Sequence, residues 1–196
     1  FTLGILVASI SALAFYTSWM LQGDMQRALG EQQFATTTLV AKGIDDELRS
    51  RINALEQYAK GRLDPSLLEN AVALQERLEG SPAILSMFNA GIFVTGTDGV
   101  AIGSAPISLQ RAGTDYSDRD FIAAAIGEGR SNIGKPVMGK NLRAPTVSIA
   151  VPVRDAQGKV LGALVGATNL DRPNFLDKVT QSHYGKSGGY LLAAPQ

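Results

Sequence analysis

PTVSIAVPVRDAQGKVLGALVGATN, residues 145–169, reads as two β-strands joined by a tight turn. Pro145–Val153 and Val160–Asn169 are β-prone runs, and Asp155-Ala156-Gln157-Gly158 between them has the chemistry of a turn. Side chains alternate across a strand, so the second run has two distinct faces. Leu161, Ala163, Val165 and Ala167 form one; Val160, Gly162, Leu164, Gly166 and Thr168 form the other, which is smaller towards its end. Small residues on a sheet face leave room for a ligand or a tightly docked helix. The docked helix is the favoured occupant here.

Upstream, Ile92-Phe93-Val94-Thr95 and Val100-Ala101-Ile102 flank Asp98-Gly99, a hairpin signal. Pro106–Ala112 reads as a loop. Ser117–Ile126 reads as a short helix, with Ser117 as N-cap and Asp120 three residues on, close to a capping box. Asn132–Met138 is a further strand, and Gly139-Lys140-Asn141-Leu142-Arg143 a polar loop before the long pair. Most of the 21 glycines lie after residue 90, as expected of turn-rich sheet.

The first half has helical periodicity instead. Ile44, Leu48, Ile52, Leu55 and Ala59 make one apolar stripe, predicting a long helix over 24–60 with a possible kink between Glu31 and Thr38. Asp64-Pro65 starts a second helix that runs to Leu78 and ends at Gly80-Ser81-Pro82. Helices followed by strands define an α+β domain with a helix layer on an antiparallel sheet.

Residues 1–23, FTLGILVASISALAFYTSWMLQG, carry no charge. About 20 apolar residues span a bilayer core, so this stretch is expected to be a transmembrane helix. Ala12-Leu13-Ala14 fits a signal-peptide cleavage site, but the apolar run continues through Phe15, Trp19 and Leu21. Pro173–Val179 begins another helix and Gly188–Leu192 another strand, as if 181–196 opened a second module.

Eighteen basic and 18 acidic residues give zero net charge, which argues against a nucleic-acid partner. There is no cysteine, and His183 is the only histidine, so disulfides, zinc thiolates and Cys–His catalysis are excluded. Gly185-Lys186-Ser187-Gly188-Gly189 matches a nucleophile elbow by letter, but a helix precedes it and a strand follows, the reverse of what an elbow needs. As the tail of a phosphate loop it lacks the upstream glycine, since Thr180 stands there. No catalytic constellation or cofactor motif is found.

The richest polar segment is Asp115-Tyr116-Ser117-Asp118-Arg119-Asp120-Phe121. Arg119 is placed in the first helical turn, where a cation opposes the helix dipole. Either an ion pair with Asp115, Asp118 or Asp120 offsets this, or Arg119 and the free amides together hold a ligand carboxylate. Tyr116 and Phe121 would wall such a pocket; alternatively Phe121 is simply core. The three aspartates lack the glycine and distal glutamate of a calcium loop. Lys135–Arg143 reads as a solvated tip, with Lys135 a lesser candidate for a second anion contact.

Tyr116-x-x-Arg119-x-Phe121, the run Val147–Val153, then Asp155-x-x-Gly158-x-Val160-x-Gly162 resemble a Cache sensor domain. Asn174-Phe175-Leu176-Asp177 and Tyr184–Leu192 look like the passage into a second such module. The whole is similar to the double-Cache extracytoplasmic sensors of bacterial diguanylate cyclases, histidine kinases and chemoreceptors. The resemblance implies a PAS-like antiparallel sheet cupped around a small ligand, often an amino acid or other carboxylate. It divides the chain into an anchor (1–23), a stalk helix (24–60), a membrane-distal module (61–180) and the start of a second one (181–196).

In that family the matching arginine grips the carboxylate, which assigns Arg119 to ligand contact. The candidate contacts are Tyr116, Arg119, Phe121, Lys135, Ser148 and Thr168. Amino-acid binders place an aspartate near the end of the last strand to bind the amine, whereas this chain has Ala167-Thr168-Asn169. An organic acid is therefore expected rather than a standard α-amino acid. The implied protein lies in the inner membrane with the domain facing the periplasm or exterior, and dimerises through the stalk. The alternative is a membrane-tethered interaction module without a ligand. Space behind Gly162 and Gly166 would favour the sensor, and complete filling would favour the alternative.

Overall fold

The change from helical to alternating periodicity near residue 90 becomes a helical half followed by a sheet in the computed structural model, which describes residues 2–177. Helix α1 (Thr2–Arg62) is followed by α2 (Pro65–Leu68), α3 (Ala71–Glu79) and α4 (Pro82–Leu85). Strands β1 (Ile92–Gly96) and β2 (Ala101–Ala105), helix α5 (Asp120–Gly127), and strands β3 (Asn132–Ile133), β4 (Val137–Met138), β5 (Pro145–Arg154) and β6 (Val160–Asn169) complete the chain. The chain divides into two compact units, Phe1–Asp45 and Asp46 onward.

In the first unit the backbone is helical from Thr2, without interruption through the segment where a kink was anticipated. Among the described residues no helix is long and apolar enough to cross a membrane. The transmembrane helix expected at 1–23 is thus not a finding of the structure. The second-module start expected at 181–196 and the strand at Gly188–Leu192 lie outside the described residues.

In the second unit the sheet order is β2-β1-β6-β5-β3, all neighbours antiparallel, with β4 also on β5. The two long strands read from residues 145–169 are its centre, with Ser148 opposite Ala167 and Val147 opposite Thr168. Leu55, Leu74, Leu78, Phe88, Ile92, Val94, Ile149, Val151 and Leu164 form the core on one face of the sheet. Phe93, Tyr116, Phe121, Ile122, Ala150, Ala163 and Val165 form the core on the other, under α5. Each fully buried aliphatic or aromatic side chain contributes about 1.5–3 kcal/mol.

Three local expectations are corrected. The helix expected from Pro65 to Leu78 is two helices, because the Asn70 side chain accepts from the Ala73 amide and starts α3 afresh. The strand expected over Asn132–Met138 is two short pieces separated by Gly134–Pro136. The space beside Gly166 is filled by the Phe88 ring, which would lie 2.4 Å from a Cβ at that position. The small face of β6 packs against the helical layer, with Phe88 over Gly166, and no ligand space remains beside Gly166.

Candidate functional site

Helix α5 starts three residues later than its sequence suggests. Asp115 Oδ1 accepts from the Ser117 amide at 2.7 Å, and the Tyr116 carbonyl accepts from the Arg119 amide, so 115–119 is a turn. Ser117 therefore caps nothing. Arg119 occupies the N-cap position, and its carbonyl accepts from the Ile122 and Ala123 amides. Its side chain is free of the helix and reaches the sheet.

That side chain reaches a small cavity on the Ala167 face of the sheet, opposite the face filled by Phe88. Phe93, Arg111, Tyr116, Arg119, Phe121, Ser148 and Ala167 form its walls, and residues 137–142 lie across it. Its volume is about 20 Å³, room for little more than one water molecule. A ligand larger than a water molecule therefore needs the covering segment to move.

The covering segment is strapped down by polar contacts. Lys140 Nζ donates to the Asp115 carbonyl at 2.6 Å and to Asp118 Oδ1 at 2.7 Å. The Tyr116 hydroxyl donates to Asn141 Oδ1 at 2.7 Å, and Asn141 Nδ2 donates to the Gln110 carbonyl at 3.0 Å. Arg119 Nη2 donates to the Met138 carbonyl at 3.3 Å. The polar loop expected to be a solvated tip is therefore a strap over the cavity, and Lys140 and Asn141 are its latch.

Two guanidinium groups keep unused donors at the cavity. Arg119 Nε is buried without a hydrogen-bond partner, its nearest carboxylate being Asp118 at 3.7 Å. Arg111 is only 4% exposed; its Nη2 donates to the Ala90 carbonyl at 2.7 Å, and its Nη1 has no partner. Its guanidinium lies 5.1 Å from the Phe93 ring centre. Burial lowers the pKa of Arg111, partly offset by Tyr116. Burial raises that of Tyr116, against the pull of Arg111 and then Arg119.

Four of the six residues singled out from sequence meet here: Tyr116, Arg119, Phe121 and Ser148. Thr168 does not, because it lies opposite Val147 and so points to the other face of the sheet. Lys135 does not line the cavity either; its backbone amide donates to Asp120 Oδ2 at 3.2 Å. Sequence reasoning missed Arg111, Asn141 and Phe93. The one signal for Arg111 was a cation with no acidic residue within three positions of it.

The aspartates of this segment each have a local task. Asp115 holds the Ser117 amide, Asp118 holds Lys140, and Asp120 accepts from the Phe121 and Lys135 amides. Among the described residues no group of three metal-ligating side chains gathers.

The hydrogen bond from Lys140 holds the Asp118 carboxyl below its usual 3.8. A depressed carboxylate contributes stability above its unfolded pKa and loses it as pH falls through the folded value. The melting-temperature difference between the parent and Asp118→Asn is therefore expected to be constant above about pH 5 and to shrink below about pH 4. Thermal melts across pH 3–7 read this directly (about the range over which an aspartate titrates).

No protein-family model matches the chain, and no curated protein matches it in sequence. Solved structures do match. The ligand-binding domain of the Pseudomonas aeruginosa PAO1 chemoreceptor PctC, in complex with GABA, superposes with a TM-score of 0.57 at 23% identity, covering 68% of this chain and 60% of that one. The corresponding domain of PctB from the same organism, in complex with L-Arg, gives 0.54 at 25% identity, covering 68% and 54%. The sensor domain of the Vibrio cholerae histidine kinase DctB gives 0.62 at 17%, covering 74% and 57%. The chain thus spans less than two thirds of the length of each. These neighbours are sensor and ligand-binding domains rather than catalytic ones, consistent with a Cache-type extracytoplasmic sensor.

Proposed function

We propose that this chain is the sensing part of a membrane receptor, and that its module binds a small organic anion, a carboxylate above all. One observation carries the ligand class: Arg111, Arg119 and Lys140 line the cavity, and no acidic side chain does. An α-amino acid would find donors for its carboxylate and no partner for its amine. Ala167, at the end of β6, faces the cavity where an amine-binding aspartate would be needed.

Residues 1–23 would anchor the chain in the inner membrane, with the module outside the cytoplasm. The stalk would carry the response to an output domain, such as a cyclase or kinase, and would pair with a second copy. Such a signal requires a ligand that binds two states of the module with different affinity. The strap is the proposed switch: latched as its contacts show, and displaced when a ligand enters.

The filling of the Gly166 face by Phe88 favours the alternative, a tethered interaction module without a ligand. Melting of the full chain against carboxylates, α-amino acids and amines separates the two. A ligand at about 100 times its Kd adds about 2.7 kcal/mol. Carboxylates are expected to raise the melting temperature, and Arg119→Met to weaken them by about 10- to 100-fold. Stabilisation by amino acids alone would overturn the assigned ligand class, and no shift across the panel would support the interaction module.

A further inference from the structure

Arg111 holds a charge for which the described residues supply no counter-charge. It is 4% exposed, and among the described residues no carboxylate lies within ion-pair distance of it. Its visible partners are the Ala90 carbonyl, the Phe93 ring and the Tyr116 hydroxyl, none of them an anion at neutral pH. The ring attracts the cation but does not neutralise it. A buried guanidinium without a partner is costly, and Nη1 remains unsatisfied at the cavity wall.

Arg119 lines the same cavity with a different tether. Arg111 is tied to Ala90 and Phe93 beside β1, whereas Arg119 reaches Met138 of the strap. Each guanidinium keeps one buried, unpartnered N–H. Lys140, by contrast, already has Asp118.

Resting on the anion reading of this cavity, we propose that the ligand carries two anionic groups, one met by Arg119 and the other by Arg111. The class is a short dicarboxylate, and Arg111 is the residue that selects it over a monocarboxylate. With both ends neutralised, both orphan donors gain charge-assisted hydrogen bonds. A monocarboxylate would leave one guanidinium buried and uncompensated.

The test is calorimetric titration of the full chain with malonate, succinate and glutarate, each beside its own monoamide. The monoamide keeps the shape and removes one charge. At least one diacid is expected to bind about 10- to 100-fold more tightly than its monoamide. Arg111→Met, which keeps an apolar stem against Phe93, is expected to remove that preference, bringing each diacid and its monoamide within about threefold of one another. Equal affinity of every diacid and its monoamide would overturn the dianion inference and leave the anion reading standing, as would an equal loss of both in Arg111→Met. Binding of no carboxylate at all would overturn the anion reading itself. Should Arg111→Met fail to fold, the diacid-to-monoamide ratio of the parent protein decides alone.

Discussion

Phe88→Ala is expected to destabilise the module by about 3–5 kcal/mol, the usual range for a fully buried phenylalanine. Phe88 is 1% exposed and lies between α4 and β1. Its ring occupies the space that the missing side chain of Gly166 leaves on β6. Strand β6 is central, paired with both β1 and β5, so it cannot collapse into the void without disturbing two ladders. The ring also lies 5.5 Å from the Arg51 guanidinium, which has Phe175 on another side at 4.4 Å. Arg51 is 8% exposed and has one carboxylate partner, Glu47 at 2.9 Å. Truncating Phe88 thus opens a cavity and removes an aromatic contact from a buried cation. Urea unfolding at fixed pH measures the loss; a change under about 1 kcal/mol would mean that Phe88 does not fill the Gly166 face.

Gly162→Ala is expected to cost at least about 3 kcal/mol, more than a methyl group ordinarily does in a core. A Cβ there would stand 2.0 Å from the carbonyl oxygen of Thr95 on β1. The obstacle is backbone, so no rotamer change relieves it. The β1–β6 pair, in which Gly162 lies opposite Gly96, must separate locally instead. Gly127→Ala is the matched control: it lies at the end of α5 with nothing within 4 Å of its Cβ position. That change is expected to be neutral or to stabilise by a few tenths of a kcal/mol. Equal melting of the two variants would remove the close approach of β6 to β1 from the account.

The long strand pair was legible because both runs are apolar and a turn sequence separates them; nothing outside 145–169 was needed. The same alternation separates the two faces of β6 but does not say which one the helices cover. That depends on Phe88, far away in sequence, and it is why Thr168, on the Phe88 face, does not reach the cavity. Tyr116, Arg119, Phe121 and Ser148 line one cavity because a turn, a helix start and a strand put them in reach of one another. The start of α5 was misread because Asp115 takes the Ser117 amide that Asp120 would bind in a capping box. The strap was not legible at all. Residues 139–143 have the composition of a solvated loop, and only tertiary contacts from Tyr116, Asp118 and Gln110 show that they are held down. Arg111 was missed for a similar reason: it is held by Ala90 and by Phe93 of β1, about 20 residues away in sequence.

The most direct test of the central claim is calorimetric titration of the full chain with two matched pairs, succinate beside aspartate and propionate beside alanine. Each pair keeps the carbon skeleton and differs by one amine. Saturable heat from at least one organic acid, with its amino-acid partner at least about tenfold weaker, is the predicted result for a cavity lined by cations and no acids. Tighter binding of aspartate or alanine than of the matching acid would contradict it, because the ligand amine would then have a partner that this cavity does not contain.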